Sequence, residues 1–334
     1  MSTSDLVVRE RSPMARATGA LVAAGLRASL MVSPRPTVAL LRREFARSGA
    51  ERAERLRPGA PPDVRSIVDE RYGQGVDELL DVHLPTPAAG PLPVLLWTHG
   101  GAFVGGSKDE IDYYLAHLAR AGLCVVAPRY TLAPAARHPA PARQVMRALT
   151  HVVGNAHRWE ADAGRVVLAG DSAGAHITAQ VAAAVVDGDY ARLLGLEPTL
   201  EAGALRATVL CCGIYDLGPA ALSASAVLRA CGWAYSGSRD VARDTRFLRS
   251  TAVVDHVGEA FPASFVTVGN ADPLAPQTAA LVRRLRSLGV EVESVEFDAD
   301  HAPALGHEYQ FDLALEDSRA TLERMIAFVR ARTA

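Results

Sequence analysis

A buried strand turns directly into a helix within the stretch "VVLAGDSAGAHITAQ", residues Val166–Gln180. An apolar run ends at Gly170, and the small and apolar residues after Gly174 are typical of a helix. Ser172 stands between these two glycines, a spacing typical of a nucleophile raised on a sharp strand-to-helix turn. The same pentapeptide also forms ordinary tight turns, because glycine accommodates strained backbone. The rest of the chain has to distinguish these two interpretations.

Apolar runs alternate with helical stretches on both sides of this turn and predict an α/β fold. The first two strands alternate in polarity, as half-exposed antiparallel edge strands do, whereas most later strands are continuously apolar. Strands separated by helices indicate right-handed crossovers and a mostly parallel sheet. The predicted strands span residues 66–73, 79–85, 94–100, 123–130, 165–171, 207–216, 263–272 and 291–298. The predicted helices between and after the later strands span residues 109–121, 138–154, 173–188, 275–288 and 315–331.

Two segments fall outside this pattern, and we expect them to form a helical cap. Residues 1–60 form the first, with two helices predicted within 14–57 and a break at "SPRPT", Ser33–Thr37. The catalytic domain is expected to span 64–334, with an insertion at about 217–250 as the second segment. Loops of this length are usually functional or contain helices of their own. Ligands of doubly wound sheets bind at the carboxyl ends of the strands, so the insertion is predicted to wall a pocket there.

The overall charge does not indicate a basic surface that would bind nucleic acid. The chain has 334 residues with 35 basic and 37 acidic side chains, a formal net charge of −2, and 49% of its residues are hydrophobic. This composition is that of a globular protein and excludes a disordered chain or a strongly basic surface. We therefore expect a small-molecule partner and no nucleic acid.

The apolar stretch "ATGALVAAGL", Ala17–Leu26, does not predict a membrane anchor. Arg16 and Arg27 bracket it, and it is shorter than the ~20 residues that span a bilayer. No clear small-x-small cleavage site follows it. We expect a cytoplasmic protein without stable membrane insertion, with export or contact with a membrane surface as the alternative.

The cysteines and acidic residues do not show the spacing of a metal site. Cysteines stand at positions 124, 211, 212 and 231, and no Cys-x-x-Cys occurs. Most lie in apolar runs, so we expect buried, reduced thiols. Asp171 has no cluster of potential ligands at useful spacing. We therefore expect neither a metal nor a cofactor.

A second small-residue loop, "WTHGGAFVGG" at Trp97–Gly106, follows an inner strand. Backbone N–H groups that no side chain obstructs can meet a developing oxyanion at about 2.7–3.1 Å. Together with "GDSAG", the loop favours a serine nucleophile with an oxyanion hole over two unrelated turns. The expected donors are the N–H groups of Gly101, Ala102 and Ala173, with Gly100 shaping the loop.

The chain resembles the hormone-sensitive-lipase-like branch of the α/β-hydrolase fold, a family of carboxylesterases and lipases. The resemblance covers residues 65–330 and implies an eight-stranded, mostly parallel sheet flanked by helices, with serine-hydrolase chemistry. It leaves the substrate open. The motifs that carry it are "HGGAF" (99–103), "YTLAP" (130–134) with "HPAP" (138–141), "GDSAG" (170–174), "DPL" (272–274) and a late histidine.

The chain departs from the family's pattern at three places. Ala102 stands where the family usually has a third glycine, and its N–H remains a suitable donor if the local φ is negative. Thr131 replaces a commonly structural arginine, so a local packing difference is expected. "APQ" after "DPL" replaces polar residues and is expected to alter the rim of the site.

The order of the family's triad, serine then acid then histidine, guides the assignment of the acid. Asp272 ends the apolar run "FVTVGNADPL", where a carboxylate that orients a histidine is expected. Asp298 and Asp300 follow the next strand and are weaker candidates. We assign the acid to Asp272.

Two histidines compete for the role of the base in "EFDADHAPALGHEYQF". Counting forward from the last strand favours His301. Counting back from the closing helix favours His307, because "HEYQF" resembles the family's His-Gly-Phe with Tyr309 in place of the phenylalanine. We favour His307 and keep His301 as the alternative, while His99 is expected to be a structural hydrogen-bonding residue.

These assignments predict a serine carboxylic-ester hydrolase that acts through Ser172, His307 and Asp272 and an acyl-enzyme. Trp233, Tyr235 and Phe247 of the insertion are expected to be cap core or a substrate platform, and small to medium, fairly apolar esters are the expected substrates. A triad enzyme of a biosynthetic pathway (amidase, lactonase, deacetylase or acyltransferase) is the first alternative. A non-catalytic small-molecule binder is the second. The resemblance is also compatible with a homodimer.

Overall fold

The computed structural model describes residues 32–88, 90–223 and 225–334. Eight strands form one sheet, and every predicted strand overlaps one of them. The continuous apolar runs of the central strands suit strands covered on both faces. The strands are β1 (Val64–Arg71), β2 (Leu79–Pro85), β3 (Leu92–Thr98), β4 (Cys124–Pro128), β5 (Ala161–Asp171), β6 (Leu205–Cys211), β7 (Ala263–Thr267) and β8 (Val292–Val295).

The strand order β1-β2-β4-β3-β5-β6-β7-β8 makes the sheet mostly parallel. Only the pairs β1–β2 and β2–β4 are antiparallel among the described strands. From β4 to β8 the neighbouring strands run parallel, so their carboxyl ends meet at one edge of the sheet. That edge is where ligands of such sheets bind.

The prediction that β2 is a half-exposed edge strand is wrong. β2 lies between β1 and β4, and its five central residues are buried. Its polar side chains have partners: the Asp81 carboxylate lies 2.8 Å from Nζ of Lys108, and Ser66 Oγ lies 2.8 Å from Nδ1 of His83. Burial of a polar group costs little when it is paired. The polar alternation of β2 therefore reflects paired buried groups and not exposure.

Helices cover both faces of the sheet. The helices are α1 (Arg35–Leu56), α2 (Asp112–Arg120), α3 (Ala140–Asn155), α4 (Ser172–Val186), α5 (Gly188–Leu194), α6 (Pro219–Ser223), α7 (Ala226–Ser236), α8 (Thr245–Thr251), α9 (Ala275–Ser287) and α10 (Glu316–Thr333). None of the helices in the described part of the chain has the length and hydrophobicity of a bilayer-spanning segment.

Helix α4 is buried almost all round, which explains its composition. Residues 172–184 are all buried, because α4 packs on β5 and β6 and is flanked by α3 and α5. A helix enclosed in this way needs no polar face. Its many alanines allow the neighbouring elements to approach closely. The start of this helix is therefore held rigidly against the sheet.

The sheet divides the core into two layers. Alternate residues of β3 point to opposite faces, so Val94 and Leu96 join one apolar cluster and Leu95 and Trp97 join the other. Both clusters consist mainly of buried aliphatic and aromatic side chains. The central strands and the loops at their carboxyl ends are thus fixed from both sides.

Helix α1 begins directly after Pro34, at the predicted break. The helix that the sequence predicts before this break lies outside the described residues. Arg42 of α1 donates from Nε to the carbonyl of Val104 (2.6 Å) and from Nη2 to that of Ala133 (2.7 Å). The insertion contains α6, α7 and α8, and α1 packs against α7. This N-terminal helix therefore holds the loop that follows β3.

Candidate active site

The candidate nucleophile lies at the junction of β5 and α4. β5 ends at Asp171 and α4 begins at Ser172, whose φ is +52°. A side chain on Gly170 would come within 2.8 Å of the Gly174 carbonyl, and one on Gly174 would collide with the Thr98 carbonyl. Both glycines are therefore needed for the close packing of strand, turn and helix. The strained turn exposes only 7% of Ser172.

The structure brings Ser172, His307 and Asp272 together. Nε2 of His307 lies 2.8 Å from Oγ of Ser172, and Nδ1 lies 2.8 Å from Oδ2 of Asp272. The Asp272 side chain is fully buried, whereas 34% of the His307 side chain is exposed. Burial opposes protonation of the imidazole, but the adjacent Asp272 carboxylate raises the pKa of His307 well above its ordinary value.

Asp272 lies in a loop and not in the strand that the sequence predicted to end there. β7 ends at Thr267, and Asp272 follows five residues later. The loop is tied to the histidine loop through Asn270, whose Oδ1 accepts from the N–H of Leu305 (2.8 Å) and whose Nδ2 donates to the His301 carbonyl (3.0 Å). These bonds fix the two loops relative to each other, and with them the acid and the histidine.

His301, the alternative base, points away from Ser172. Its Nε2 lies 3.0 Å from Oδ2 of Asp317 in α10, and its ring packs on Phe297 with centroids 4.8 Å apart. The insertion "APALG" between the two histidines places His307 over the serine instead. The geometry therefore favours His307 as the partner of Ser172.

The loop after β3 presents free backbone donors toward the serine. Among the described residues, no hydrogen-bond acceptor is found for the N–H groups of Gly101 and Ala102. The N–H of Ala173 belongs to the first turn of α4, which leaves it without an intrahelical acceptor. The N–H of Gly100, by contrast, donates to Oδ2 of Asp171 at 2.8 Å. Gly100 thus shapes the loop, and the other three residues offer the donors.

The condition of a negative φ at Ala102, on which its role as a donor was made to depend, is not met. Ala102 has φ +52° and Phe103 has φ +64°, so both occupy the left-handed region. This region costs a residue with a side chain about 1–2 kcal/mol. Packing offsets the cost, because Phe103 stacks on Tyr235 with ring centroids 3.9 Å apart and its carbonyl accepts from the N–H of Ala133 (2.9 Å). The loop keeps its donors free at the expense of local strain.

His99 has a structural environment, as expected. Its ring stacks on Tyr130 with centroids 4.4 Å apart, and its Nδ1 lies 2.9 Å from the Gly100 carbonyl. Burial lowers the pKa of His99 to about 4, so the ring is neutral at pH 7. The OH of Tyr130 also donates to the His99 carbonyl at 2.9 Å. These contacts fix the start of the loop after β3.

A pair of buried carboxyl groups lies beside the serine and histidine. Asp171 accepts from Nε1 of Trp97 (2.8 Å) and is hydrogen-bonded to Glu308, the residue after His307. Burial, and the neighbouring charge of Glu308, raise the pKa of Asp171 well above its ordinary value. Despite its own burial, the pKa of Glu308 is lowered by His307 and by Arg52 of α1. These opposite shifts make Glu308 the more acidic of the two carboxyl groups.

Cys212 is the remaining polar group against the imidazole. It is fully buried, and its donor atom lies within 4.8 Å of those of Asp272 and His307. Burial raises the pKa of its thiol, so it is neutral beside the ring. The hydrogen bonds among Ser172, His307 and Asp272 already explain this clustering without an ion. All four cysteines lie in the described part of the chain, buried and without a disulfide.

Sequence reasoning missed Glu308, Arg52 and the position of Cys212. The signal for Glu308 was the His-Gly-Phe comparison, because a glycine position often marks a positive φ, and Glu308 has φ +59°. Cys212 follows β6 directly and has φ +42°. Its place at the carboxyl end of a parallel strand could have indicated a position near the site. Nothing in the sequence pairs Arg52 with Glu308.

Several known proteins are similar to this chain in sequence, and several solved structures are similar to it in fold. The chain is 32% identical over 173 residues to a kynurenine formamidase from Danio rerio, an alignment that covers 52% of each protein. It is 30% identical over 204 residues to an ethyl acetate hydrolase from Pseudomonas putida, covering 60% of the chain and 62% of that protein. The chain spans about half the length of the formamidase.

Among solved structures, esterase B from Lactobacillus rhamnosis has a TM-score of 0.77 at 20% identity, covering 90% of this chain and 96% of that one. At this identity the likeness concerns the fold. The family described as alpha/beta hydrolase fold matches residues 95–323, more than half of the chain. The chain therefore belongs to the α/β-hydrolase-fold family, which confirms the resemblance that its motifs indicated.

Proposed function

We propose that the protein is a carboxylesterase that hydrolyses small to medium, fairly apolar esters with Ser172 as nucleophile. The single observation that carries the proposal is the continuous hydrogen-bonded path from Ser172 through His307 to Asp272, with 2.8 Å at each step. A nucleophile and base within reach, with the base oriented by a third group, are typical of covalent catalysis. The relatives named as esterases and as an ethyl acetate hydrolase support ester-bond chemistry.

The proposed reaction begins with proton transfer from Ser172 to Nε2 of His307. Asp272 accepts from Nδ1–H of His307, which keeps Nε2 unprotonated and available as the base. The serine oxygen attacks the acyl carbon of the ester. The imidazolium that forms next to the Asp272 carboxylate then donates its proton to the leaving alkoxide, and the acyl-enzyme remains.

The N–H groups of Gly101, Ala102 and Ala173 would bind the oxyanion of the tetrahedral intermediate. Their freedom from protein acceptors, and their fixed orientation in a strained loop, mean that little reorganisation is needed during the reaction. Water, deprotonated by His307, then attacks the acyl-enzyme and releases the acid. Loss of one such donor typically costs about 2.7–4 kcal/mol of transition-state stabilisation.

The helical segments of the insertion support a small, apolar substrate. Tyr235 and Phe247 are buried: Tyr235 stacks on Phe103 of the loop after β3, and Phe247 packs edge-on against Tyr235. These two aromatic side chains form the core of the cap and attach the insertion to the loop after β3. They do not form a platform for substrate. Trp233 is only partly buried and lies at the outer side of α7 near Arg239, 6.0 Å from its ring centroid. The carboxyl pair of Asp171 and Glu308 disfavours anionic esters near the serine.

The proposal is tested by Ser172→Ala on p-nitrophenyl acetate and butyrate. We expect kcat/KM to fall by about four to six orders of magnitude, because the nucleophile is removed. A matched control exists in a second serine–histidine pair, in which Nε2 of His138 lies 2.8 Å from Oγ of Ser250. Ser250→Ala should keep full activity, since the partner of His138 on the other nitrogen is Tyr235 and not a carboxylate. Equal rates for the wild-type protein and Ser172→Ala would contradict the proposal.

Hydrolysis of an aryl formamide is the second candidate. The observation that favours it is the 32% identity to a protein named kynurenine formamidase. The same serine, histidine and acid would serve, because an amide carbonyl needs the same nucleophile and oxyanion donors. Comparison of kcat/KM for p-nitrophenyl acetate and an N-aryl formamide distinguishes the two. A formamide preference above tenfold that is lost in Ser172→Ala would establish this candidate over the ester.

A further inference from the structure

Glu308 adopts a backbone conformation that is unfavourable for its type. Its φ is +59°, in the left-handed region, and it directly follows His307. The carboxyl group turns inward, with 20% of the side chain exposed. Strained residues of this kind persist only where surrounding contacts over-determine them. The contacts of the Glu308 carboxylate must therefore stabilise this backbone conformation.

Those contacts join the histidine turn to the oxyanion loop. The Glu308 carboxyl group meets that of Asp171 at Gly100, where a side chain would collide with Oδ2 of Asp171 and come within 3.0 Å of Oε1 of Glu308. The oxygens of Asp171 accept from the N–H of Gly100 and from Nε1 of Trp97, both at 2.8 Å. Asp171 immediately precedes Ser172. The Asp171–Glu308 pair thus links three segments. These are the turn that holds Ser172, the start of the loop after β3, and the turn that holds His307.

The N-terminal helix supplies the positive charge that this pair needs. Nη1 of Arg52 lies 3.4 Å from Oε2 of Glu308, and its guanidinium stands 5.1 Å from the ring centroid of Phe311. Glu110 also faces this group, and burial raises the pKa of Glu110 to about 7. The charged and titratable groups that interact with Glu308 include Asp171, His307, Arg52 and Glu110, together with His99, Tyr113, Tyr130, Cys211 and Cys212.

We propose that Glu308 is a positioning residue, which holds the turn of His307 against the Asp171–Gly100 junction and so keeps the imidazole in line with Ser172. This inference rests on the proposed function, because it assigns the base to His307. A shared proton joins the Asp171 and Glu308 carboxyl groups in a hydrogen bond, and Arg52 balances the remaining negative charge. Glu308 also places a negative charge beside the imidazole, which favours the imidazolium formed during the reaction.

A matched residue separates backbone strain from positioning. Glu160 has φ +53°, is exposed, and caps a short helical turn far from the serine, beside Trp159. Replacement of either glutamate by glycine relieves left-handed strain. Glu160→Gly should therefore raise Tm slightly or leave it unchanged. Glu308→Gly also removes the carboxylate partner of Arg52, so its Tm should fall, whereas Glu308→Gln keeps a hydrogen-bonding side chain and should keep Tm within about 2 °C. Only Glu308→Gly should lose activity.

The experiment compares the wild-type protein, Ser172→Ala, Glu308→Gly, Glu308→Gln and Glu160→Gly with p-nitrophenyl butyrate between pH 5 and 9. We expect Glu308→Gly to lower kcat about 10- to 100-fold with KM within twofold, because displacement of a base by a fraction of an ångström to 1 Å has such effects. Glu308→Gln keeps the side-chain length but loses the charge. Its acid limb in the pH profile of kcat/KM should move to lower pH, since the histidine is then easier to deprotonate.

Each outcome decides the inference. Wild-type kcat and an unmoved acid limb in Glu308→Gln and Glu308→Gly, with Ser172→Ala inactive, would overturn it and leave the proposed function intact. A fall of kcat and Tm in Glu308→Gln as well as in Glu308→Gly, with an unmoved acid limb, would also overturn it, since that pattern means a merely structural role. Wild-type turnover no faster than that of Ser172→Ala would overturn the proposed function and this inference together.

Discussion

Replacement of Asp272 by asparagine tests how the acid controls the histidine. Oδ1 of Asp272 accepts from the N–H of Leu274 at 2.8 Å, and Oδ2 lies 2.8 Å from Nδ1 of His307. In Asp272→Asn the amide oxygen will take the place that faces the Leu274 N–H, because only an acceptor fits there. The amide NH₂ group must then face Nδ1. An NH₂ group that donates to Nδ1 moves the imidazole proton to Nε2.

This change of tautomer removes the base without disturbing the packing. A protonated Nε2 donates to Ser172 and cannot accept its proton. We expect kcat to fall by about 10⁴-fold, as in other triads with this substitution. A factor of this size corresponds to about 5 kcal/mol of transition-state stabilisation. Because the side chain is fully buried and isosteric with asparagine, Tm should change by only a few degrees.

The assay is the pH profile of p-nitrophenyl butyrate hydrolysis. Only neutral His307 is a base, and its pKa in the folded protein is raised, so wild-type kcat/KM should fall as pH drops through a value above 6.5. Removal of the Asp272 charge lowers the pKa of His307, so the acid limb of the variant should move to lower pH. By the same linkage, the raised pKa of His307 stabilises the fold below pH 6.5, and this contribution is lost as pH rises through the folded value.

Two outcomes would refute this reasoning. A loss of less than tenfold in kcat would mean that the carboxylate does not set the tautomer. An unmoved acid limb would mean that His307 is not the titrating base. Asp298→Asn and Asp300→Asn, at the two weaker candidate acids, serve as controls and should keep wild-type kinetics.

Three further predictions concern the fold and the alternative base. Lys108→Met should lower the free energy of unfolding by about 3–5 kcal/mol, because Lys108 is 1% exposed and its loss leaves the buried Asp81 carboxylate unpaired; urea denaturation measures this, and a loss below 1 kcal/mol would contradict it. Gly174→Ala should abolish esterase activity and cost about 1–3 kcal/mol of stability, because its Cβ would collide with the Thr98 carbonyl; full activity with unchanged Tm would be inconsistent with the turn described. His301→Gln should keep kcat within twofold, since its ring contacts α10, and a large loss in the same ester assay would return His301 to consideration.

Matched controls separate these effects from unspecific ones. Arg243→Met breaks an ion pair with Asp240 whose side chains are 88% and 57% exposed, so it should cost less than about 1 kcal/mol. Gly154→Ala places a methyl group in open space near the end of α3 and should stabilise the helix by about 0.5–1 kcal/mol. Neither control should change the rate of ester hydrolysis.

The sheet could be predicted because burial on both faces leaves a continuous apolar pattern in the sequence. The prediction failed where polar residues are buried in pairs, as at Asp81 with Lys108. An alternating pattern records polarity and not exposure, and the partner of Asp81 is 27 residues away in sequence. The end of β7 was also placed too late, because apolar residues continue beyond Thr267 into the loop.

The candidate site could be predicted where small residues and chain order reflect local geometry. Ser172 follows from the glycines on either side of it, and Asp272 and His307 follow from their order along the chain. The conformation of Ala102 could not be predicted, because an alanine in the sequence gives no signal for a φ of +52°. This conformation depends on the stacking of Phe103 on Tyr235, which only the folded chain shows. The link between Arg52 and Glu308 joins residues 256 apart, so only the folded chain shows it.

The most direct test of the proposed nucleophile is mass spectrometry of the protein after treatment with a fluorophosphonate probe. The account predicts one adduct per chain, on the peptide that contains Ser172, formed rapidly in the wild-type protein and far more slowly in His307→Ala. Excess p-nitrophenyl butyrate should slow the labelling, because ester and probe compete for the same oxygen. An unlabelled wild-type protein, or an adduct on any residue other than Ser172, would contradict the account.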